Sequence, residues 1–178
     1  SEKLSSYNGM IAVSYELLDE SLHSYQIALT TGESFLVMSN EVGSWLSDEK
    51  IPKITFDIKS LARTMDFAGL EFDVALASYL VDPGNRLNSL EEVSERWLGR
   101  SDKSAAGLFE LRKVLLAELE KRELTKLLLE LEQPITLLLS KMERLGIAVD
   151  KAELKKLVEY FVGDVASLTE KAHKAVGH

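Results

Sequence analysis

The chain has 178 residues, 46% of them hydrophobic, with 29 acidic against 21 basic side chains and a formal net charge of −8. This suffices for one domain of ordinary size with an appendage, while the acidic balance on average repels a phosphate backbone, so weak or no DNA binding by these residues alone is expected. The absence of cysteine excludes disulfides and thiolate metal sites; with no run near the roughly 20 apolar residues of a membrane span and no signal-like start in SEKLSSYNG, a cytoplasmic protein without a membrane partner is expected.

Residues 10–17 (MIAVSYEL), 25–31 (YQIALTT) and 34–38 (SFLVM) have β-rich spacing broken by turn-forming residues, which predicts three consecutive strands. Ser39-Asn40 is a candidate cap for a short helix over 41–48. Residues 53–56 (KITF) read as a strand, and Asp57 as the cap of a helix with Ile58, Leu61, Ala62 and Met65 on one face, stopped by Gly69. A brief extended run over 70–72 leads to Asp73, the expected cap of a helix through Val81 that ends before Pro83-Gly84. Asn88 and Glu91 form a capping-box pattern for a helix to Leu98 with Gly99 at its end, and another helix starts near Ser104.

From Ala105 onward the pattern is helical. Leu127, Leu128, Leu131, Ile135, Leu138, Leu139, Met142 and Leu145 recur at three- and four-residue steps, with Pro134 expected to kink the helix or mark its first turn. Gly146 breaks the pattern, Asp150 with Glu153 makes a second capping box, and a long apolar stripe from Leu154 to Val176 follows. Such a stripe requires a partner surface, so exposure, self-association or fraying is expected there. Strands followed by helices interleaved with another strand argue for an α/β fold, a mixed sheet with flanking helices and a helical C-terminal extension.

Several segments, in this order and spacing, carry a resemblance: FDVALASYLVDPG (72–84), LNSLEEVSERWLG (87–99), LEQPITLLLSKMERLGIAVD (131–150) and EKAHKAVG (170–177). Over nearly its whole length the chain resembles the family A DNA polymerases of bacteria at the junction of the 3′→5′ exonuclease domain and the polymerase domain. The resemblance implies a ribonuclease H-like, 3′→5′ exonuclease-like domain over residues 1–121, then a helical linker and the start of the polymerase thumb over 122–178. It also implies a piece of a longer parent, whose templated DNA synthesis in replication and repair would use Mg²⁺ and whose polymerase domain would be this module's partner and route to DNA.

Active relatives carry Asp-x-Glu on the first strand, Asn-x-x-x-Asp at the helix after the fourth strand and Tyr-x-x-x-Asp on a late helix. Carried over by position, the first motif becomes Ser14-Tyr15-Glu16, the second Asp57 with Leu61, and the third places Leu108 at the aspartate, a slip of two residues offering Glu110 instead. Two divalent ions about 3.5–4 Å apart need several converging carboxylates, and leucine offers no oxygen ligand. A degenerate module without catalytic or metal-binding residues is therefore expected, Glu16 being a weak metal candidate.

Bland explanations cover the other candidates. Asp57 and Asp73 suit helix caps, Asp19-Glu20 a solvated turn, and Trp45 and Trp97 core anchors. The three histidines stand at 23, 173 and 178, without metal or triad spacing, and no glycine-rich nucleotide motif occurs, so no cofactor is expected for this chain itself. Lys155, Lys156, Lys171 and Lys174 are a solvated face or, if the thumb resemblance holds, DNA contacts within the parent. Two other functional readings remain: a metal-dependent exonuclease built on Glu16 with Asp57, Glu110 or Asp19, and a module binding single-stranded DNA or a protein without turnover.

Overall fold

The computed structural model describes residues 7, 9–19, 21–38, 43–85 and 87–177. Glu20, the Ser39-Asn40 cap, residues 41–42 and His178 lie outside them. The chain divides into two compact units, Ser1–Arg144 and Leu145–His178.

In the first unit, β1 (Ile11–Leu18), β2 (Ser21–Leu29) and β3 (Ser34–Met38) form an antiparallel meander, and β4 (Lys53–Thr55) and β5 (Leu70–Asp73) extend the sheet in parallel on the β1 side, giving the order β3-β2-β1-β4-β5. Alternation along each strand divides the apolar residues between the faces. Ala12, Ala28 and Ile54 face a core shared with α2 (Val74–Val81), α3 (Leu90–Leu98) and α4 (Ala105–Lys121), whose Leu108, Leu111, Leu115 and Leu119 are fully buried. Ile11, Val13, Tyr25 and Ile27 face a second cluster with Trp45 and Leu46, while α1 (Ile58–Thr64) forms a third through Ile58, Leu61 and Ala62. Trp45 is a buried core residue, and Trp97 is half-buried with its indole N–H donated to Ser78 Oγ at 2.9 Å.

Three local expectations require correction. The helix capped by Asp57 ends at Thr64, before Gly69. Gly69 instead has φ +72 and comes so close to the Ile51 carbonyl that a Cβ would lie 2.4 Å from it, so a close backbone approach is what requires glycine there. The cap of α3 is Ser89, accepting from the Glu92 N–H at 3.2 Å, while the Glu92 carboxylate accepts the Asn88 N–H at 2.8 Å; the capping pair thus sits one residue later than Asn88 and Glu91. The predicted short helix over 41–48 is, among the described residues, a single 3-10 turn at Ser44–Ser47.

After α4 the chain turns at residues 122–124, with Glu123 at φ 60, and resumes as a helical turn at Thr125–Leu127, a π turn at Leu128–Glu132 and α5 (Gln133–Leu145). Pro134 comes one residue after the π turn, with Gln133 between. Lacking an N–H, Pro134 leaves the carbonyl four residues back, that of Glu130, without its helical donor, and just before it the ladder widens to an i→i+5 bond from Gln133 N to Leu128 O.

In the second unit α6 (Lys151–Val176) is capped by Asp150, which accepts the N–H groups of Ala152 (2.9 Å) and Glu153 (3.1 Å). The Glu153 carboxylate pairs with Lys156 at 3.1 Å. Of the outcomes expected for its stripe, exposure is observed, Leu154, Phe161 and Leu168 being among the exposed residues. Among the described residues no helix is long and apolar enough to cross a membrane.

Candidate functional site

A cleft of about 680 Å³ opens between the end of β1, the start of α1 and the α3–α4 connection. Alternation on β1 points Ser14 and Glu16 to one side, where they pair across the ladder with Gln26 and Ser24. Ser14 is buried at 9% exposure; Glu16 is exposed and accepts a long bond from Ser24 Oγ at 3.4 Å. From α1 come Asp57 and Ser60, and from the other wall Ser89, Glu91, Asp102, Lys103 and Ser104. Three helices begin here, their caps Asp57, Ser89 and Ser104 each accepting an N–H of their own first turn.

Asp57 is held by local structure. Its backbone is left-handed (φ 54), its carboxylate accepts the Ser60 N–H at 3.3 Å and the Ser60 hydroxyl at 2.5 Å, and its carbonyl accepts the Tyr15 hydroxyl at 2.6 Å. Burial pushes the Tyr15 phenol well above its ordinary range, and the charges of Asp57 and Asp73 push the same way.

The remaining motif positions point away from the cleft. Leu61 is 1% exposed and packs in the α1 cluster against Tyr15 and Leu22, whereas Leu108 is fully buried in the main core under α4. Glu110 is tied to Arg100 at 2.6 Å, and Arg100 also reaches Asp102 at 3.3 Å. The structure thus brings Ser14, Glu16 and Asp57 to one cleft and leaves Leu61, Leu108 and Glu110 out of its lining. Among the described residues no three histidine, aspartate or glutamate side chains are grouped so as to hold a metal ion. A pair of divalent ions needs several converging oxygen donors, and this donor set does not fit such a pair. Asp19, at φ 49, lies in the β1–β2 turn and not in the cleft.

On α6, Lys156 and Lys174 pair with Glu153 and Glu170, at 3.1 and 2.6 Å, while Lys155 and Lys171 are exposed.

Two buried polar residues bear on the cleft wall through tertiary contacts that the sequence hid. Asp73, 1% exposed, caps α2 through Ala75 N (2.8 Å) and Leu76 N (3.2 Å), and also accepts Ile58 N (2.7 Å) and Asp57 N (3.3 Å) at the start of α1. Gln133, 5% exposed, lays its amide along β5, accepting Asp73 N at 2.8 Å and donating to Glu71 O at 3.4 Å. Nothing in the local pattern of either residue announces the tertiary half of these contacts; Asp73 advertises only its own helix.

A mixed sheet with an antiparallel meander, two added parallel strands and a cleft at the end of the first strand defines a ribonuclease H-like domain of the 3′→5′ exonuclease type. Residues 15–100 match the family described as DNA polymerase I, ribonuclease H-like domain, and the chain belongs to the DNA polymerase I family. It is 27% identical over 195 aligned residues to DNA polymerase I of Bacillus subtilis (89% of this chain, 22% of the relative). It is 30% identical over 168 residues to that of Mycobacterium tuberculosis strain H37Rv (76% and 19%). The chain therefore spans about a fifth of the length of these curated relatives. Among solved structures, the POL domain of Pol1 from M. smegmatis, in complex with DNA primer-template and dNTP, superposes with a TM-score of 0.85 at 25% identity, covering 99% of this chain and 36% of that one. NrnC of Brucella melitensis with bound Mg²⁺ shares the fold, with a TM-score of 0.63 at 21% identity over 78% of this chain and 86% of that one.

Proposed function

We propose that this chain is a non-catalytic, exonuclease-like structural module of a DNA polymerase I whose parent carries out DNA-templated DNA synthesis with Mg²⁺, and that DNA reaches it only through that parent. The observation that carries the reading is the burial of Leu61 and Leu108, the two positions where the family pattern expects aspartates, in separate apolar clusters. Glu16 then stands exposed without a second carboxylate committed to a shared metal, because Asp57 is engaged by Ser60 in capping α1. The apolar residues of α5 and α6 are the surfaces by which the module would brace the polymerase domain, with residues 122–178 as linker and thumb start. Lys155, Lys156, Lys171 and Lys174 would meet DNA only within the parent.

Calorimetric titration with Mn²⁺ and Mg²⁺, together with a labelled single-stranded DNA degradation assay on the same sample, tests the proposal. Absence of both heat and cleavage is the expected result. Cleavage that requires manganese and disappears in Glu16→Ala would overturn it in favour of a residual exonuclease, and saturable strand binding without cleavage would favour a binding module.

A further inference from the structure

Helix α5 is built inside out. Its buried residues are Gln133, Thr136 and Ser140, polar side chains whose spacing places them on one helical face. Its apolar residues Ile135, Leu138 and Met142 are 41%, 58% and 58% exposed. An amphipathic surface helix ordinarily docks by the opposite face. Leu137, half-buried against the α1 cluster, is the apolar contribution to this seam.

The two ends of the helix are held differently. Upstream, Leu128 is fully buried in the main core and the Gln133 amide is bonded to β5, an anchor within the packed domain. Downstream, the contacts are polar and rimmed by solvent. The Ser140 hydroxyl lies 3.3 Å from Lys59 O and 2.8 Å from Thr136 O, so its single proton serves one or the other. Glu143 pairs with Lys59 at 2.7 Å and Arg63 at 3.7 Å, and Arg144 pairs with Asp66 at 2.7 Å, all with partly exposed side chains. At the anchored end stand the π turn and Pro134, an interruption of the regular hydrogen-bond ladder, of the kind at which helices bend.

We propose that residues 135–144 form a hinged arm, pivoting at Pro134 just past the Gln133 anchor and latched to α1 by Ser140, Glu143 and Arg144, with an unlatched state in exchange with the docked one. Unlatching gives up little apolar burial, water replaces the lost hydrogen bonds, and exposed ion pairs are individually weak and screened by salt. The latch partners sit on α1 and just after it, and the same helix carries Asp57 and Ser60 of the cleft wall. The arm and that wall therefore share one support. The inference is independent of whether the cleft cleaves or binds anything.

Hydrogen exchange of the full chain, followed by mass spectrometry at about 0.05 M and about 0.5 M salt, tests it. The amides of α5 are expected to exchange at least about tenfold faster than those of α4, and to accelerate at least about threefold further in high salt and in Glu143→Lys, while α4 keeps its rates. Arg144→Glu provides a second latch variant should Glu143→Lys fail to fold. Protection of α5 equal to that of α4, joint acceleration of both helices, or indifference of α5 to salt and to the latch variants would each overturn the proposal.

Discussion

The carboxylate of Asp73 accepts the backbone N–H of Ile58 at 2.7 Å, so the first turn of α1 is capped by a residue at the start of another helix, α2. With Asp57 N, Ala75 N and Leu76 N also donating to it, one buried side chain satisfies amides at two helix starts. Each buried N–H left without an acceptor costs about 1–3 kcal/mol. Asp73→Ala is therefore expected to lower unfolding stability by about 4 kcal/mol in urea titration. A loss below about 1 kcal/mol would mean that water takes over the caps.

Burial pushes the Asp73 carboxyl up to about 6, opposed by the N–H donors of Ile58, Leu76 and Ala75 and reinforced by the charge of Asp57. A carboxyl raised on folding contributes stability that is complete below its unfolded pKa and is lost as pH rises through its folded value. Between about pH 4 and pH 6 this group alone should remove about 3 kcal/mol as pH increases. The difference in stability between the native protein and Asp73→Asn should carry that slope. A pH-independent difference across this window would refute the assignment.

The strands were legible because alternation on a two-sided sheet leaves a clear trace: residues 34–38 coincide with β3, and KITF contains β4. The helix caps Asp57, Asp73 and Asp150 were legible for the same local reason, since a cap bonds to amides two or three residues on. What the sequence hid is tertiary. The bond from Ile58 N to Asp73 spans 15 residues and the one from Asp73 N to Gln133 spans 60, and neither leaves a periodic signature. In the cleft, Ser14, Glu16 and Asp57 were picked out by the resemblance to the family's motifs on the first strand and at the helix after the fourth, but the short connection between α3 and α4, which brings Asp102 and Lys103 to the cleft, left no such trace. The inverted face of α5 was hidden too, because an apolar stripe on a helix announces that it must be covered without saying by what.

Lys53 is fully buried and its ammonium donates to the carbonyls of Asp48 (2.7 Å), Ile51 (2.8 Å) and Ala68 (2.8 Å), tying the loop before β4 to the loop after α1. Lys53→Met fills much of the same volume but strands three acceptors, at an expected cost of about 3 kcal/mol. Burial also pulls the amine down to about 8, against the pull of Asp48. A group whose pKa is depressed on folding contributes stability that is present above its unfolded value and lost as pH falls through its folded value. Chemical denaturation between pH 8 and about pH 10.5 should therefore show the native protein gaining on Lys53→Met as pH rises. A constant gap would argue against a depressed amine.

Asp57 combines a left-handed backbone with a cap bond to Ser60. Asparagine tolerates the left-handed region and still offers one acceptor, so Asp57→Asn is expected to stay within about 0.5 kcal/mol of the native stability. Alanine offers no acceptor and is strained at positive φ, so Asp57→Ala should cost about 2 kcal/mol. Thermal melts of the pair decide it: equal losses in both variants would show that charge, and not geometry, is what matters at this position.

Aspartates placed at Leu61 and Leu108, the positions to which the resemblance assigns the family's carboxylates, test the proposal that this module holds no metal site. Leu108 is fully buried among Leu111, Leu115 and the sheet-facing Ala12 and Ala28, and Leu61 is 1% exposed against Tyr15 and Leu22. A carboxylate at either position loses a packed leucine and acquires a buried charge with no cation to pair with, and each of those terms alone costs several kcal/mol. Leu108→Asp is expected to unfold the domain at neutral pH, and Leu61→Asp to destabilise it by about 4 kcal/mol or more, whereas Ser14→Asp, at the cleft margin, should fold. Circular dichroism of the three variants, with and without about 10 mM Mn²⁺, separates the cases through ligand-linked stabilisation. If Leu61→Asp or Leu108→Asp regains its fold when manganese is added, the carboxylates have found a metal, and the core around that position must be able to open toward the cleft.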